Sequence, residues 1–246
     1  MEPVPNRTDY RVKRMLYVSL FGVLLVLVSA CGDKKETAAD RSAESSADTF
    51  TFFELGKDSQ YSESVRKDLN RQLGNDAIER RSLLNLEINY YGFVQEHFPA
   101  LHSLNIRLNP ASGERIEHNI SKLMYRYARK KDLPFDYVEL IFSNYSQRPL
   151  VFKINFKEDE ANVVQTLMTK YGEPQKIDWQ HKNGQSMYWQ KNNDVFIVSL
   201  VPDQFGNPEY QIRIFFVDNI EALLEQERIE KERQELKRAK SGQKAF

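Results

Sequence analysis

The feature that most constrains the fold lies between residues 134 and 217, where short runs alternate apolar and polar residues and each run ends in turn chemistry. Val138, Leu140 and Phe142 alternate, as do Leu150, Phe152, Ile154 and Phe156 after a loop at 144–149, which predicts a hairpin. Four more strands are expected at 175–180, 185–190, 195–201 and 209–217. They are separated by Asn183-Gly184, by Asn192-Asn193-Asp194 and by Phe205-Gly206-Asn207-Pro208. Between hairpin and strands, residues 158–171 read as a helix. It carries Val163, Val164, Leu167, Met168 and Tyr171 inward and is stopped by Gly172 and Pro174. Period-2 runs with tight turns cannot settle as helices, so this region is expected to be an antiparallel sheet with one helix on a face.

Upstream the spacing changes to three and four. Val65, Leu69 and Leu73 before Gly74 predict a helix over 62–73. Ile78, Leu83, Leu86, Tyr90, Phe93, Val94 and Phe98 predict another over 77–98, kinked at Tyr91-Gly92 and ended by Pro99. Leu101, Leu104, Ile106 and Leu108, before the turn Asn109-Pro110-Ala111-Ser112-Gly113, suit helix or strand. Ile116, Ile120, Leu123, Met124 and Tyr127 predict a helix over 114–131. Residues 50–133 are therefore expected to be mainly helical. Residues 218–246 read as a charged helix with Asp218 as N-cap and Glu221 three residues on. Ile220, Leu223 and Leu224 can dock it, and pairs such as Glu227 with Lys231 support the rest. A solvated helix is the reading, with a coiled coil as the alternative, since heptads are not sustained. The fold class is α+β: a helical N-terminal portion, an antiparallel sheet with a packed helix, and a charged C-terminal helix. The two segments ending on Gly74 and Gly172 share register, which fits either a duplication or the common habit of ending helices on glycine.

The chain has 246 residues, 41% of them hydrophobic, enough for a real core. Basic and acidic residues balance at 35 each, so charge gives no reason to expect nucleic acid as a partner. One cysteine, Cys31, excludes an intramolecular disulfide and a thiolate metal cluster.

Its position explains it. Residues 15–30 carry no charge and follow Arg11, Lys13 and Arg14, the pattern of a secretory signal. The run is short for a spanning helix, which needs about 20 apolar residues. Val28-Ser29-Ala30-Cys31 resembles the bacterial lipobox. That resemblance implies cleavage between Ala30 and Cys31, diacylation of Cys31, acylation of the new N-terminus, and the lipid bilayer as a partner. A retained signal-anchor helix over 1–30 is the alternative. Gly32 at the second mature position differs from the Asp that resembles an inner-membrane retention signal. The periplasmic face of the outer membrane is thus expected over that of the inner membrane. Residues 31–49, with no aliphatic larger than alanine beyond Cys31, read as a lipidated, flexible tether.

A catalytic reading finds little to converge. No Gly-x-Ser-x-Gly elbow occurs. Ser64-Val65-Arg66-Lys67 matches Ser-x-x-Lys without the companion motifs of penicillin-binding enzymes. His97, His102, His118 and His181 lack metal-ligand spacing and read as surface or cap residues. Glu158-Asp159-Glu160 and Arg129-Lys130-Lys131 suit the ends of expected helices, although the basic run could also touch anionic headgroups or peptidoglycan. The glycines are scattered, with no phosphate loop. Aromatics gather in the expected sheet, where adjacent Tyr188 and Trp189 point to opposite faces, so one may stand free to hold a sugar or peptide. No catalytic, cofactor-binding or metal residue is assigned. The helix ending Tyr171-Gly172-Glu173-Pro174 before a strand meander resembles the small α+β lipoproteins of the outer-membrane β-barrel assembly machinery. That resemblance spans about sixty residues and transfers no functional residue. The expectation is a non-enzymatic envelope interaction or assembly module with an envelope protein as possible partner, its oligomeric state open. The alternative is a cell-wall ligand-binding protein or hydrolase.

Overall fold

A computed structural model describes residues 49–110, 115–157, 162–179, 184–202 and 205–245. All belong to the second of two units into which the chain divides, 1–36 and 37–246. The export segment, Cys31, residues 32–48, the acidic run at 158–160 and His181 lie outside the described residues.

The alternating runs all become strands. In chain order the elements are α1 (Glu63–Leu73), β1 (Asp76–Ser82), α2 (Phe93–His97), α3 (Pro99–Leu108), β2 (His118–Tyr125), a 3-10 turn (Ala128–Lys131), β3 (Tyr137–Ser143) and β4 (Pro149–Phe156). There follow α4 (Val163–Tyr171), β5 (Gln175–Asp178), β6 (Gln185–Lys191), β7 (Asp194–Pro202), β8 (Pro208–Phe215) and α5 (Val217–Ala245). The strands form one antiparallel sheet in the order β1-β2-β3-β4-β8-β7-β6-β5. Two four-stranded meanders therefore run inward from opposite edges and meet at β4 and β8, where Ile154 faces Ile212 and Lys153 faces Arg213.

Each meander is preceded by a helix on the same face, here face A. Helix α1 buries Leu69 and Leu73 there; α4 lays Val163, Val164, Leu167, Met168 and Tyr171 partly buried over it. Phe50, Leu55 and Tyr61 close the same face over Phe142, Phe152 and Phe196. The other face, B, is apolar toward one end, with Ile141, Val151, Val195, Ile197 and Phe215 covered by α2, α3 and the first turns of α5. The polar groups of this cover are satisfied: Asn105 accepts from Leu86 N–H at 2.9 Å, and Asn109 donates to Leu84 O at 2.9 Å. Trp179 closes the other side against Tyr90 and Phe93. Gly184 is required beneath it, since a Cβ there would lie 2.2 Å from the indole.

The structure corrects the N-terminal half. The segment 77–98 is not one helix: β1 occupies Asp76–Ser82, an irregular stretch follows, and α2 starts only at Phe93. Gly92, at φ 89°, is the N-cap position of α2 rather than a kink. Pro99 opens α3 at its first turn, where its missing N–H costs nothing, rather than closing a helix. The expected helix at 114–131 is instead strand β2 and a 3-10 turn. This strand sits between β1 and β3 with both faces covered toward Ile120, so apolar residues on both sides erase the period-2 signal. Residues 50–133 thus supply α1, α2 and α3 but also two strands of the common sheet, so the coarse α+β class stands while a mainly helical N-terminal portion does not. Helix α4 is described from Val163.

Candidate functional site

Three groups of charged side chains outside the core could carry function. The first crosses face B beyond its helical cover. Lys122 reaches Glu79 at 3.3 Å and Ser82 at 2.8 Å; Lys153 pairs with Glu139 at 2.9 Å; Tyr137 donates to Glu139 at 2.6 Å. Glu139 is only 8% exposed. Burial works against its charge, but Lys153, the Tyr137 hydroxyl and Lys122 hold its carboxyl below the usual carboxylate range. Burial drives the Tyr137 hydroxyl up, aided by Glu139. Across the seam, Arg213 stands directly opposite Lys153, an unfavourable cross-strand pairing relieved because each cation turns to its own partner. The Arg213 guanidinium donates to Asn155 Oδ1 at 2.9 Å and to its neighbour's carbonyl, Ile212 O, at 2.7 Å. Desolvation brings it down to about 10, with Glu139 and Glu209 opposing. Every charge in this row has a structural partner, which makes it a lock for the sheet.

The second group ties the N-terminal segment to α5. Asp194, the first residue of β7, accepts from Val217 N–H at 3.1 Å, so the cap of α5 comes from a distant strand. Asp218, expected to cap the helix, instead accepts from Lys57 and Asn193. Burial pushes Asp194 up to about 6, against the pull of Lys57 at 3.9 Å. Asn219 donates to Lys57 O and Pro149 O.

The third group is α5 itself. Val217, Ile220 and Leu223 are buried on face B. One turn later Glu227 accepts from Asn119 N–H and bonds His118 Nδ1, both at 2.8 Å, while His118 Nε2 lies 3.1 Å from Leu108 O. His118 is therefore a buried joint, 1% exposed, rather than a surface histidine, and Glu227 faces inward rather than toward Lys231. From residue 231 to 241 every described side chain of α5 is exposed, Leu236 at 62%. Arg228 pairs with Glu225 and Glu232, and Arg233 with Glu230.

The remaining sequence candidates do not come together. Ser64 and Lys67 are both exposed on α1, with Ser64 bonded to Ser62. His97 lies beside Glu96 and Tyr90, and His102 beside Glu87. Among the described residues, no group of three or more histidines, cysteines or carboxylates is placed to hold a metal. The Arg129 run lies on the 3-10 turn, where Lys130 sits over the Tyr127 ring. Of the adjacent aromatics, Trp189 is buried on face A, donating to Gly172 O at 2.7 Å, and Tyr188 is half-buried on face B against Phe98. The exposed aromatics are elsewhere: Tyr91 at 98% and Phe205 at 79%. The sequence did not single out His118, Asp194 or Arg213, each of which depends on strands paired from far along the chain. Comparisons with protein families, with known proteins and with solved structures find no match for the chain.

Proposed function

We propose that the chain is a lipid-anchored, periplasm-facing module of a bacterial envelope, held at the outer membrane by acylated Cys31, that works by binding rather than by catalysis. The observation that carries the binding part is helix α5. Its first turns are docked and clamped at Glu227, while residues 228–245 continue for roughly 27 Å at 1.5 Å per residue without burying a side chain in the fold. A helix with little apolar surface of its own is marginal in water unless ion pairs or a second surface support it. The anchoring part rests on Val28-Ser29-Ala30-Cys31 behind its apolar run. Among the described residues no helix is long and apolar enough to cross a membrane.

Membrane fractionation of the full chain tests both parts. Wild type is expected in the outer-membrane fraction and Cys31→Ala in the soluble fraction. Truncation before residue 228 is expected to leave anchoring intact while removing co-purifying envelope components. If Cys31→Ala stays membrane-bound, residues 1–30 are a retained anchor and the lipid reading fails.

A further inference from the structure

We infer that the end of α5 binds anionic phospholipid headgroups, so that the chain meets its membrane at two points; this rests on the lipid-anchored reading above. The charges along the helix are segregated. From 218 to 235 seven carboxylates outnumber three cations, whereas from 236 to 246 Lys237, Arg238, Lys240 and Lys244 stand without a single acid. Arg228 and Arg233 are neutralised by neighbours on the helix; Lys237, Arg238 and Lys240 are exposed and have no ion pair among the described residues. A solvated helix kept soluble by charge would mix its signs, as this one does up to Glu235.

The helix dipole does not account for the cluster. Its pull on cations falls off within the last turn, and Lys237 and Arg238 stand more than one turn before Ala245. At helical spacing Arg233, Leu236, Lys237 and Lys240 share one side, so the exposed leucine is flanked by cations. That is the arrangement of an interfacial helix, with an apolar group entering the headgroup boundary and long basic side chains spreading around it. The Glu227 clamp to Asn119 and His118 fixes where the overhang leaves the fold. The polar stretch between Cys31 and Thr49 spans up to roughly 60 Å when extended, enough to let the tip of the helix reach the bilayer that holds the lipid. Each cation near an anionic surface favours contact about fivefold, so three favour it by roughly a hundredfold.

The test uses the full lipidated chain on vesicles of phosphatidylcholine alone and of phosphatidylcholine with about one-third phosphatidylglycerol. Flotation reports the anchor; amide exchange across 234–245 reports the helix end. The expected result is flotation with both vesicle types, and exchange that slows at least about tenfold on the anionic ones only, reversed by added salt. K237E/R238E/K240E is expected to float equally and lose the protection, and K237Q/R238Q/K240Q to lose most of it. Flotation on both vesicle types with equal exchange overturns the inference while leaving the anchor intact, as does protection that survives in the charge-reversed chain. If wild type floats on anionic vesicles alone and K237E/R238E/K240E does not float, the anchor reading fails and the basic helix end stands.

Discussion

The two halves of the sheet are built alike and finished differently. Each is a helix, a glycine turn and a four-stranded meander, and the sheet order reads the same inward from either edge. Val65, Leu69 and Leu73 in α1 match Val163, Leu167 and Tyr171 in α4 residue for residue, and the helix ends match in backbone geometry: Gly74 at φ 89°, ψ −173°, Gly172 at φ 84°, ψ −171°. That region of conformational space is essentially closed to other residues. Shared register, shared turn geometry, shared face and mirrored strand order together support descent from a duplicated unit. The halves part company between their first and second strands. In the second half residues 179–184 join β5 to β6; in the first, residues 83–117 intervene and carry α2 and α3. One face is thus covered by the repeated helices, the other by an element that only one half possesses.

The largest effect is expected where that asymmetry is built. Phe93 is fully buried between the added segment and Trp179. Phe93→Ala should cost about 3–5 kcal/mol in denaturant unfolding and expose the apolar end of face B. A loss under about 1 kcal/mol would mean the segment is an ornament on a sheet stable without it.

Next come the paired helices. Leu69 is 2% exposed, whereas α4 buries no residue fully. Leu69→Ala is expected to cost about 2–5 kcal/mol and Leu167→Ala roughly 1–2 kcal/mol. Equal losses would show that α4 packs as tightly as α1 in solution, and native-state amide exchange would then show equal protection in both. The turns give a smaller and more even effect: Gly74→Ala and Gly172→Ala should each cost about 1–3 kcal/mol, within error of one another. A clear difference between them would break the equivalence of the two turns.

How legible the halves were in the sequence follows from the same difference. The second meander could be read strand by strand, because its strands alternate and its turns carry Asn-Gly, Asn-Asn-Asp and Gly-Asn-Pro. The first meander hid two strands. β1 is an edge strand reading Asp-Ala-Ile-Glu-Arg-Arg-Ser, with one large apolar residue. β2 is interior, and its Ile120, Leu123 and Tyr125 fall on both faces, imitating a helical spacing. Pro99 marks a helix boundary in either direction, and only the fold shows that it opens α3. The roles of His118, Asp194 and Glu227 were invisible because their partners are 109, 23 and 108 residues away in sequence. The charge segregation in α5, by contrast, was present in the sequence throughout. It gained meaning only once the helix was seen to leave the fold at Glu227.

The finest comparison sets one buried carboxylate from each third strand against the other. Glu139 in β3 is held below its ordinary range, because Lys153 and the Tyr137 hydroxyl outweigh its burial. Asp194 in β7 is pushed up to about 6, because burial outweighs Lys57 and the Val217 N–H. The signs are opposite. A depressed carboxyl stabilises the fold above its unfolded pKa and loses that contribution as pH falls below about 4.5. A raised one contributes most below its unfolded pKa of about 3.9, and that stability is lost as pH rises through about 6. Glu139→Gln should therefore flatten the acid limb of the stability curve, and Asp194→Asn the slope between about pH 4 and 6, while its amide oxygen still accepts from Val217. Thermal melts of both variants and wild type across that range read the two slopes separately. If Asp194→Asn leaves the slope between pH 4 and 6 unchanged, Lys57 holds that carboxylate ionised, and the two third strands carry their buried acids in the same way.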